Sequence, residues 1–218
     1  METFEVFRER FAAVYTAALT DILDKRGYRC QTLPHELRPL VPGTRMAGPA
    51  FTVLGRPADQ PDHDASIRKV LAMLGSIPAG HIAVYSCNQD LAAHLGELSV
   101  TSLKARGVVG AVLDGGCRDV RFIIEEGFPV FSRHVTPEDC IWRWDLTATN
   151  VPITVGRVAI QPGDWIVADE DGVVAIPAAI VEDVLAEAEQ KVATESAIRS
   201  AVRRGVPPLA AYEEFGSF

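Results

Sequence analysis

The stretch Val108-Val109-Gly110-Ala111-Val112-Leu113-Asp114, followed by Gly115-Gly116, decides the fold. Its apolar run is typical of a strand buried on both faces, and a second such run, Ile82-Ala83-Val84-Tyr85-Ser86, precedes it. Between them, Gly96 at the start and Gly107 just past the end predict a helix over residues 96–106. Strand, helix and strand in this order predict a parallel crossover and an α/β centre.

The flanking sequence extends this centre in both directions. Apolar periodicity predicts further helices over residues 4–26, 65–74 and 120–126, and strands over residues 47–54 and 129–132. From residue 151 onward we predict hairpins, with Asp169-Glu170-Asp171-Gly172 as a turn rather than a calcium loop, and then a long final helix over residues 177–204. No linker or repeat interrupts the chain, so residues 1–218 are predicted to form a single domain.

Charge and composition exclude several classes of protein. The chain has 21 Lys and Arg residues against 29 Asp and Glu residues, a net charge of -8, which argues against a surface that neutralises nucleic-acid phosphates. No stretch reaches the roughly 18 apolar residues of a membrane span, and no basic leader precedes an apolar segment, so we predict a cytoplasmic protein without a membrane partner. Four scattered cysteines predict reduced, buried thiols.

The run Gly96-Glu97-Leu98-Ser99 is the first candidate binding element. A glycine at a helix start lets backbone N–H groups point at an anion, and the positive end of the helix dipole favours a bound carboxylate or phosphate. Two interpretations stay open for each residue. Gly96 either exposes these amides or only permits a turn, and Glu97 either holds a metal-bound water or only stabilises the first helical turn.

The run Asp114-Gly115-Gly116-Cys117-Arg118-Asp119 is more specific, because ligands of α/β proteins bind beyond the carboxyl ends of parallel strands. The two glycines permit close approach to the backbone. Arg118 is able to bind a substrate carboxylate through two hydrogen bonds, and Asp119 offers a hard oxygen ligand to Mg²⁺ or Mn²⁺. The alternative is a surface Arg–Asp pair in which Asp119 caps the next helix.

Glu195 interrupts the apolar stripe of the predicted final helix. It lies between Val192 and Ile198 at helical spacing, where a buried carboxylate needs a partner. Its side chain therefore points either at a metal or an arginine, in this or a neighbouring subunit, or at solvent.

Three other reactive side chains lie in or near these runs. Cys117 has no histidine close in sequence to activate it, which argues against a nucleophile. His94 precedes the first glycine turn and is a candidate for the rim of the pocket. Lys104 could form a Schiff base with a 2-oxo acid, although nothing in the surrounding run Ser102-Leu103-Lys104-Ala105-Arg106 activates it.

These motifs, in this order, resemble the RraA-like family, which contains the regulator of ribonuclease activity A and the class II pyruvate aldolase that cleaves 4-hydroxy-4-methyl-2-oxoglutarate. The pair Arg118-Asp119, at its distance from Gly96, is the most specific part of the resemblance. Ser99, where bulkier apolar residues are common in the aldolases, departs from the pattern. The resemblance covers most of the chain and rests also on Thr20-Asp21-Ile22-Leu23-Asp24, Arg38-Pro39-Leu40, Ala47-Gly48-Pro49-Ala50-Phe51-Thr52-Val53, Lys104-Ala105-Arg106-Gly107-Val108 and Ala168-Asp169-Glu170-Asp171-Gly172-Val173-Val174.

The resemblance implies a swivelling β/β/α fold with a long C-terminal helix, assembled as a homotrimer or hexamer with active sites at subunit interfaces. It implies that the backbone amides of Gly96, Glu97, Leu98 and Ser99 bind a pyruvyl carboxylate and that Arg118 binds the oxo-acid oxygens. Asp119 is then the protein ligand of the divalent metal. Glu97, and Glu195 from the adjacent subunit, hold waters bound to that metal.

Three functions follow as hypotheses. The first is a metal-dependent lyase that releases pyruvate from 4-hydroxy-2-oxo dicarboxylic acids, using Arg118, Glu97 and Glu195, with oxaloacetate decarboxylation as a second activity through the same chemistry. The second is an acidic oligomer that masks the basic segment of a ribonuclease, as another branch of the family does. The third is a lyase that uses Lys104 for covalent catalysis.

Overall fold

The computed structural model describes residues 4–59, 62–88 and 91–216. Its helices are α1 Phe4–Ala12, α2 Thr16–Lys25, α3 His63–Ser76, α4 Glu97–Ala105, α5 Val120–Glu126, α6 Val181–Arg203 and α7 Pro208–Phe215, with a 3-10 turn at Ala178–Ile180. Its strands are β1 Arg38–Pro39, β2 Met46–Pro57, β3 Ile82–Ser86, β4 Ala93–Leu95, β5 Gly110–Cys117, β6 Val130–Val135, β7 Trp144–Thr149, β8 Ile153–Val155, β9 Val158–Ile160, β10 Trp165–Asp169 and β11 Gly172–Ile176. Among the described residues, no helix has the length and apolar content needed to cross a membrane.

A single nine-stranded sheet organises the molecule. Its strands follow the order β1-β6-β5-β3-β2-β10-β11, while β4 pairs with β5 and β7 pairs with β2. The central pairs β2–β3, β3–β5 and β5–β6 are parallel, as the apolar runs predict, whereas β10 pairs antiparallel with both β2 and β11. The hairpin β8–β9 forms a separate two-stranded sheet. The predicted α/β fold is therefore confirmed.

Three apolar clusters hold the layers together. One lies between the parallel strands and helices α3, α4 and α5, and includes Tyr85, Leu103 and Ile123. A second joins the other face of these strands to the hairpin β8–β9. The third packs α1, α2 and α6 against β10 and β11, with the ring of Phe11 stacked on Trp165 at 5.1 Å. Helix α4, which begins at the candidate binding run, is thus fixed on a rigid sheet.

The prediction of one helix over residues 4–26 is wrong, because α1 ends at Ala12 and α2 begins at Thr16. Tyr15 between them is extended, with φ -124° and ψ 158°. The buried carboxylate of Asp169 binds the start of α2, accepting hydrogen bonds from the backbone N–H of Thr16 at 2.8 Å and from its hydroxyl at 2.6 Å. This carboxylate comes from the end of β10, far along the chain, so the local apolar spacing gives no sign of the break.

Other predicted boundaries also shift. The strand predicted to end at Asp114 runs on to Cys117, and the strand predicted to end at Ser132 runs on to Val135. The helix predicted as the last one ends at Arg203 and is followed by α7. Strands β1, β4 and β7 are absent from the sequence-based prediction. Two of them are very short, whereas β7 alternates between apolar and polar residues over Trp144–Thr149, a strand signal that the prediction missed. The prediction of a single domain stays a prediction.

Candidate active site

The N terminus of α4 lies directly against the end of β5. The backbone N–H of Arg118 donates to the carbonyl of Leu95 at 3.0 Å, which joins the two predicted runs just before the helix begins. Gly96 is the N-cap residue, as the sequence predicts. A Cβ atom at Gly96 would lie 2.5 Å from Oδ2 of Asp119 and 3.3 Å from Nε of Arg118. Gly96 is therefore required by the close approach of two side chains.

Arg118 and Asp119 project beside this helix terminus. Nε of Arg118 lies 3.6 Å from Oδ2 of Asp119, and the same oxygen accepts a hydrogen bond from the backbone N–H of Glu97 at 3.2 Å. Of the first-turn amides predicted to bind an anion, that of Glu97 is thus already used by Asp119. The amides of Leu98 and Ser99 belong to the same turn, in which N–H groups have no acceptor within the helix.

Asp119 has a left-handed backbone conformation, with φ 57° and ψ 32°, at the N-cap position of α5. Such a conformation costs a non-glycine residue of order 1 kcal/mol and is best tolerated by Asp and Asn. Asp119 thus has the N-cap position considered from the sequence, but its side chain makes no capping hydrogen bond to α5. The turn instead directs the carboxylate toward Glu97 and Arg118.

The structure adds a residue that sequence reasoning missed. Oδ2 of Asp139 lies 3.1 Å from Nη1 of Arg118, closer than Asp119. Asp139 follows Pro137-Glu138 in a loop distant from both glycine runs, and no short-range motif marks it. Asp114, in contrast, pairs with Arg133, whose Nε lies 2.5 Å from its Oδ1.

Glu195 does not join this group within one chain. It pairs with Lys191, whose Nζ lies 2.9 Å from Glu195 and 3.0 Å from Asp21. The Glu195 side chain is 21% exposed and borders a cavity of about 400 Å³ on the outer surface of α6, together with Ile198 and Arg199. Glu195 is therefore held by a cation of its own helix while facing a surface that a second subunit could cover.

Lys104 is engaged on the opposite side of α4. Its Nζ donates to Oε2 of Glu126 at 2.9 Å and to the backbone carbonyl of the same residue at 2.5 Å. A Schiff base requires an amine that is free to reach the substrate, whereas this amine is held by two hydrogen bonds to Glu126. The arrangement does not support the covalent mechanism considered from the sequence.

The buried thiols also lack features of a nucleophile. Cys87, Cys117 and Cys140 are buried, whereas Cys30 is exposed, contrary to the prediction that all four are buried. Burial raises the pKa of the Cys117 thiol and raises that of Cys140 to about 12. A thiol with a raised pKa is protonated at neutral pH and reacts slowly.

His94 lies in the core rather than at the rim of a pocket. Its imidazole is 6% exposed and contacts the indole of Trp144 edge to face at a centroid distance of 5.0 Å. Gly115, within β5, allows this ring to approach the strand, so the space that the two glycines provide is taken up by protein side chains. Neither ring nitrogen of His94 has a hydrogen-bond partner among the described residues.

The buried imidazole predicts a pH-dependent stability. Burial, with a smaller contribution from His134, lowers the pKa of His94 from 6.5 to about 4. The unfolded chain therefore binds a proton between these values that the folded chain excludes, and stability falls as the pH falls. We expect a loss of about 3 kcal/mol in the free energy of unfolding between pH 6.5 and pH 4 from this residue.

Urea denaturation at several pH values measures this effect. In His94→Leu, which removes the titrating group at similar volume, the dependence on pH in this window should become shallower by that amount. An unchanged pH dependence in His94→Leu would contradict the assignment.

Comparisons with known proteins now identify the family. Residues 16–175 match the family model described as RraA-like: Aldolase/RraA. The chain belongs to the RraA-like family. An RraA-like relative from Halalkalibacterium halodurans, named "Putative 4-hydroxy-4-methyl-2-oxoglutarate aldolase", is 31% identical over 208 residues, which cover 95% of this chain and 94% of the relative. The resemblance inferred from the glycine runs is thereby confirmed.

Solved structures show the same RraA-like fold. An uncharacterized protein from Pseudomonas syringae has a TM-score of 0.82 at 29% identity. The match covers 95% of this chain and 96% of that protein's chain. RraAS2 from Streptomyces coelicolor, described as an unusual member of the RNase ES inhibitor RraA protein family, has a TM-score of 0.77 at 27% identity, with 88% of this chain and 96% of its own covered. The swivelling β/β/α fold predicted from the resemblance is confirmed.

Proposed function

We propose that this RraA-like protein is a divalent-metal-dependent lyase that releases pyruvate from 4-hydroxy-2-oxo dicarboxylic acids, with oxaloacetate decarboxylation as a second activity. The observation that carries the proposal is the meeting of Arg118, the Asp119 carboxylate and the N terminus of α4 around Gly96. A 2-oxo acid presents a carboxylate and a carbonyl oxygen side by side, which match a helix terminus and a guanidinium.

The residues present fit a hard divalent cation. Asp119 uses Oδ2 for the Glu97 amide, while its Oδ1 makes no hydrogen bond to another described residue. No group of three or more His, Cys, Asp and Glu side chains among the described residues is arranged to hold a metal. Mg²⁺ and Mn²⁺ tolerate such a site, because they are commonly bound by one or two carboxylates and keep several waters. We assign Asp119 as the protein ligand.

When bound there, the metal would supply Lewis-acid stabilisation of the negative charge that develops on the 2-oxo oxygen. Arg118 adds a fixed positive charge at the same oxygen and carboxylate. As the 4-hydroxyl loses its proton, its oxygen forms the carbonyl of a second 2-oxo acid and the C3–C4 bond breaks. The electron pair of that bond passes to C3 as the enolate of pyruvate, and C3 then takes up a proton. The distal half of the substrate extends past Ser99.

We assign Glu97 as the carboxylate that orients a water for proton transfer. It is partly exposed in the first turn of α4 and accepts a hydrogen bond from the Thr101 hydroxyl at 3.3 Å. Glu195 of a neighbouring subunit is the second carboxylate in this proposal. Leu98, which is 79% exposed beside Glu97, and Phe122 on α5 provide an apolar surface that a neighbouring subunit of a trimer or hexamer would cover.

A pyruvate-release assay with the purified full chain tests the proposal. With Mg²⁺ or Mn²⁺, the protein is expected to release pyruvate from 4-hydroxy-4-methyl-2-oxoglutarate and from oxaloacetate. Arg118→Ala and Asp119→Asn should each lower the rate by about 100-fold or more, since each removes a charge used in the transition state. Asp119→Asn is chosen because Asn tolerates the left-handed backbone.

Arg68→Ala and Asp64→Asn are the matched controls, because they disrupt an exposed Arg–Asp pair on α3. Both should keep the wild-type rate. The proposal is wrong if the wild-type protein releases no pyruvate from either substrate, or releases it equally well in the presence of a metal chelator.

A second function has one observation in its favour, the likeness to RraAS2, which is described within an RNase inhibitor family. An acidic oligomer of this kind would bind a basic segment of a ribonuclease by long-range attraction. Binding that depends on salt and persists in Asp119→Asn, together with no pyruvate release by the wild-type protein, would favour this function over the lyase.

A further inference from the structure

Asp139 makes the shortest ion pair of Arg118, and this pair suggests how the proposed lyase orients its arginine. The carboxylate Oδ2 lies 3.1 Å from Nη1, at the far end of the guanidinium from Asp119, which faces Nε at 3.6 Å. Both partners are about one-third exposed. Arg118 is thus bracketed by two carboxylates, one of which is the assigned metal ligand and one of which has no role in the mechanism described above.

The Asp139 carboxylate is fixed independently of Arg118. Its Oδ1 accepts a hydrogen bond from the backbone N–H of Ile141 at 3.1 Å. Its backbone forms a bridge with Ala93, and the N–H of Ala93 donates to the carbonyl of Glu138 at 2.8 Å. The loop thereby continues the edge of the sheet beside β4, so the carboxylate sets the position of the guanidinium rather than following it.

The residue after Asp139 anchors this loop in the core. Cys140 is buried, and its carbonyl accepts hydrogen bonds from the backbone N–H groups of Arg143 and Trp144, each at 2.8 Å. Trp144 is itself buried. A loop held in this way has little freedom to let Asp139 move with a mobile arginine.

The backbone of Arg118 is tied to Leu95 by the hydrogen bond described above. The long side chain of Arg118 is thus held at the main chain and, through its guanidinium, at Asp139. Its rotamer freedom is already restricted in the free protein, so binding substrate costs less side-chain entropy. An arginine oriented before the substrate arrives stabilises developing charge without reorganisation.

We propose that Asp139 is a positioning residue that holds the guanidinium of Arg118 in its productive orientation at the N terminus of α4. This inference rests on the proposed lyase function. Asp139 itself contacts neither substrate nor metal in the proposal. Its negative charge also opposes the substrate carboxylate, so its loss should lower turnover while leaving substrate binding nearly constant.

Steady-state kinetics of Asp139→Asn tests this role. Asn keeps an oxygen for the Ile141 amide and removes only the charge that pairs with Arg118. We expect kcat for pyruvate release to fall about 10- to 100-fold, with KM changed by less than about 3-fold, since misplacement of a positioned group by 1 Å costs rates of this size. The unfolding temperature should stay within about 2 °C of the wild-type value.

Glu126→Gln is the control, because it disrupts another partly exposed ion pair, with Lys104, on the same layer of helices. It should leave kcat unchanged.

A double variant separates positioning from a general structural effect. In an Arg118→Lys background, Asp139→Asn should lower the residual kcat by less than about 3-fold, because lysine lacks the planar fork that Asp139 orients.

Two outcomes overturn the proposal in distinguishable ways. If the wild-type protein is active and Asp139→Asn keeps its kcat, or lowers it equally in both backgrounds, Asp139 does not position Arg118 and the lyase function stands. If the wild-type protein releases no pyruvate, the lyase function fails and the role of Asp139 fails with it.

Discussion

Gly96→Ala is expected to lower the rate of pyruvate release by about 100-fold or more, because a methyl group there displaces the groups assigned to catalysis. The new Cβ would lie 2.5 Å from Oδ2 of Asp119 and 3.3 Å from Cγ and Nε of Arg118. Both side chains are partly exposed and able to swing outward, so the helix itself should survive. We expect a loss of about 1 kcal/mol in the free energy of unfolding.

Gly96→Ser separates this steric explanation from an effect on the helix start. Serine is a good N-cap residue, so it should restore stability, yet its Cβ occupies the same position and activity should stay low. Pyruvate release and urea denaturation, measured on both variants, check the two effects. Near-wild-type activity in Gly96→Ser would show that Asp119 and Arg118 do not need the close approach.

Gly55→Ala is expected to cause the largest loss of stability, about 3 kcal/mol or more, because a Cβ atom there would overlap the indole of Trp144. The added methyl group would lie within the ring, 2.6 Å from Nε1, on a side chain that is 3% exposed. Trp144 cannot move freely, because its Nε1 donates to the carbonyl of Cys87 at 2.8 Å. The strand irregularity between Leu54 and Gly55 accommodates this ring.

Thermal unfolding of Gly55→Ala should show a midpoint lowered by about 6–12 °C for a chain of this size. Gly75→Ala is the control, since Gly75 lies in α3 and a Cβ there meets no atom within 4 Å. That substitution should stabilise the protein by about 0.5–1 kcal/mol through helix propensity. Equal midpoints for Gly55→Ala and the wild-type protein would show that the Trp144 ring can repack.

The parallel centre could be predicted from the sequence because its signals are local. The apolar runs at β3 and β5 and the glycines around α4 each specify their own segment, and the sheet then brings the ends of the strands together. Gly96 and Arg118 meet for that reason. The break before α2 could not be predicted in the same way, because the Asp169 carboxylate that binds the backbone N–H of Thr16 comes from the end of β10, far along the chain.

In the candidate site, too, residues marked by local sequence could be predicted, and residues brought in by distant contacts could not. Arg118 and Asp119 are adjacent and follow a strand, so a general rule about α/β sheets finds them. Asp139 reaches Arg118 only because its loop pairs with Ala93, a contact that depends on the complete sheet. The ion pair of Glu195 with Lys191 is local, at a spacing of four residues on one helix, but the apolar residues around Glu195 do not indicate it. Local patterns found the groups that we propose to react, whereas the residue that we propose to orient them could be found only from the tertiary structure.

The left-handed backbone at Asp119 bears on the two functions proposed above. Only Gly, Asn and Asp readily adopt this conformation, so the residues that the turn accepts include the carboxylate that we propose as the metal ligand and its uncharged amide counterpart. Exchange of a single oxygen for a nitrogen at this position would leave the helix terminus and Arg118 as an anion-binding surface without metal chemistry. Under the proposed function, a lyase and a protein that only binds anions would differ at this position by one substitution that the backbone already permits.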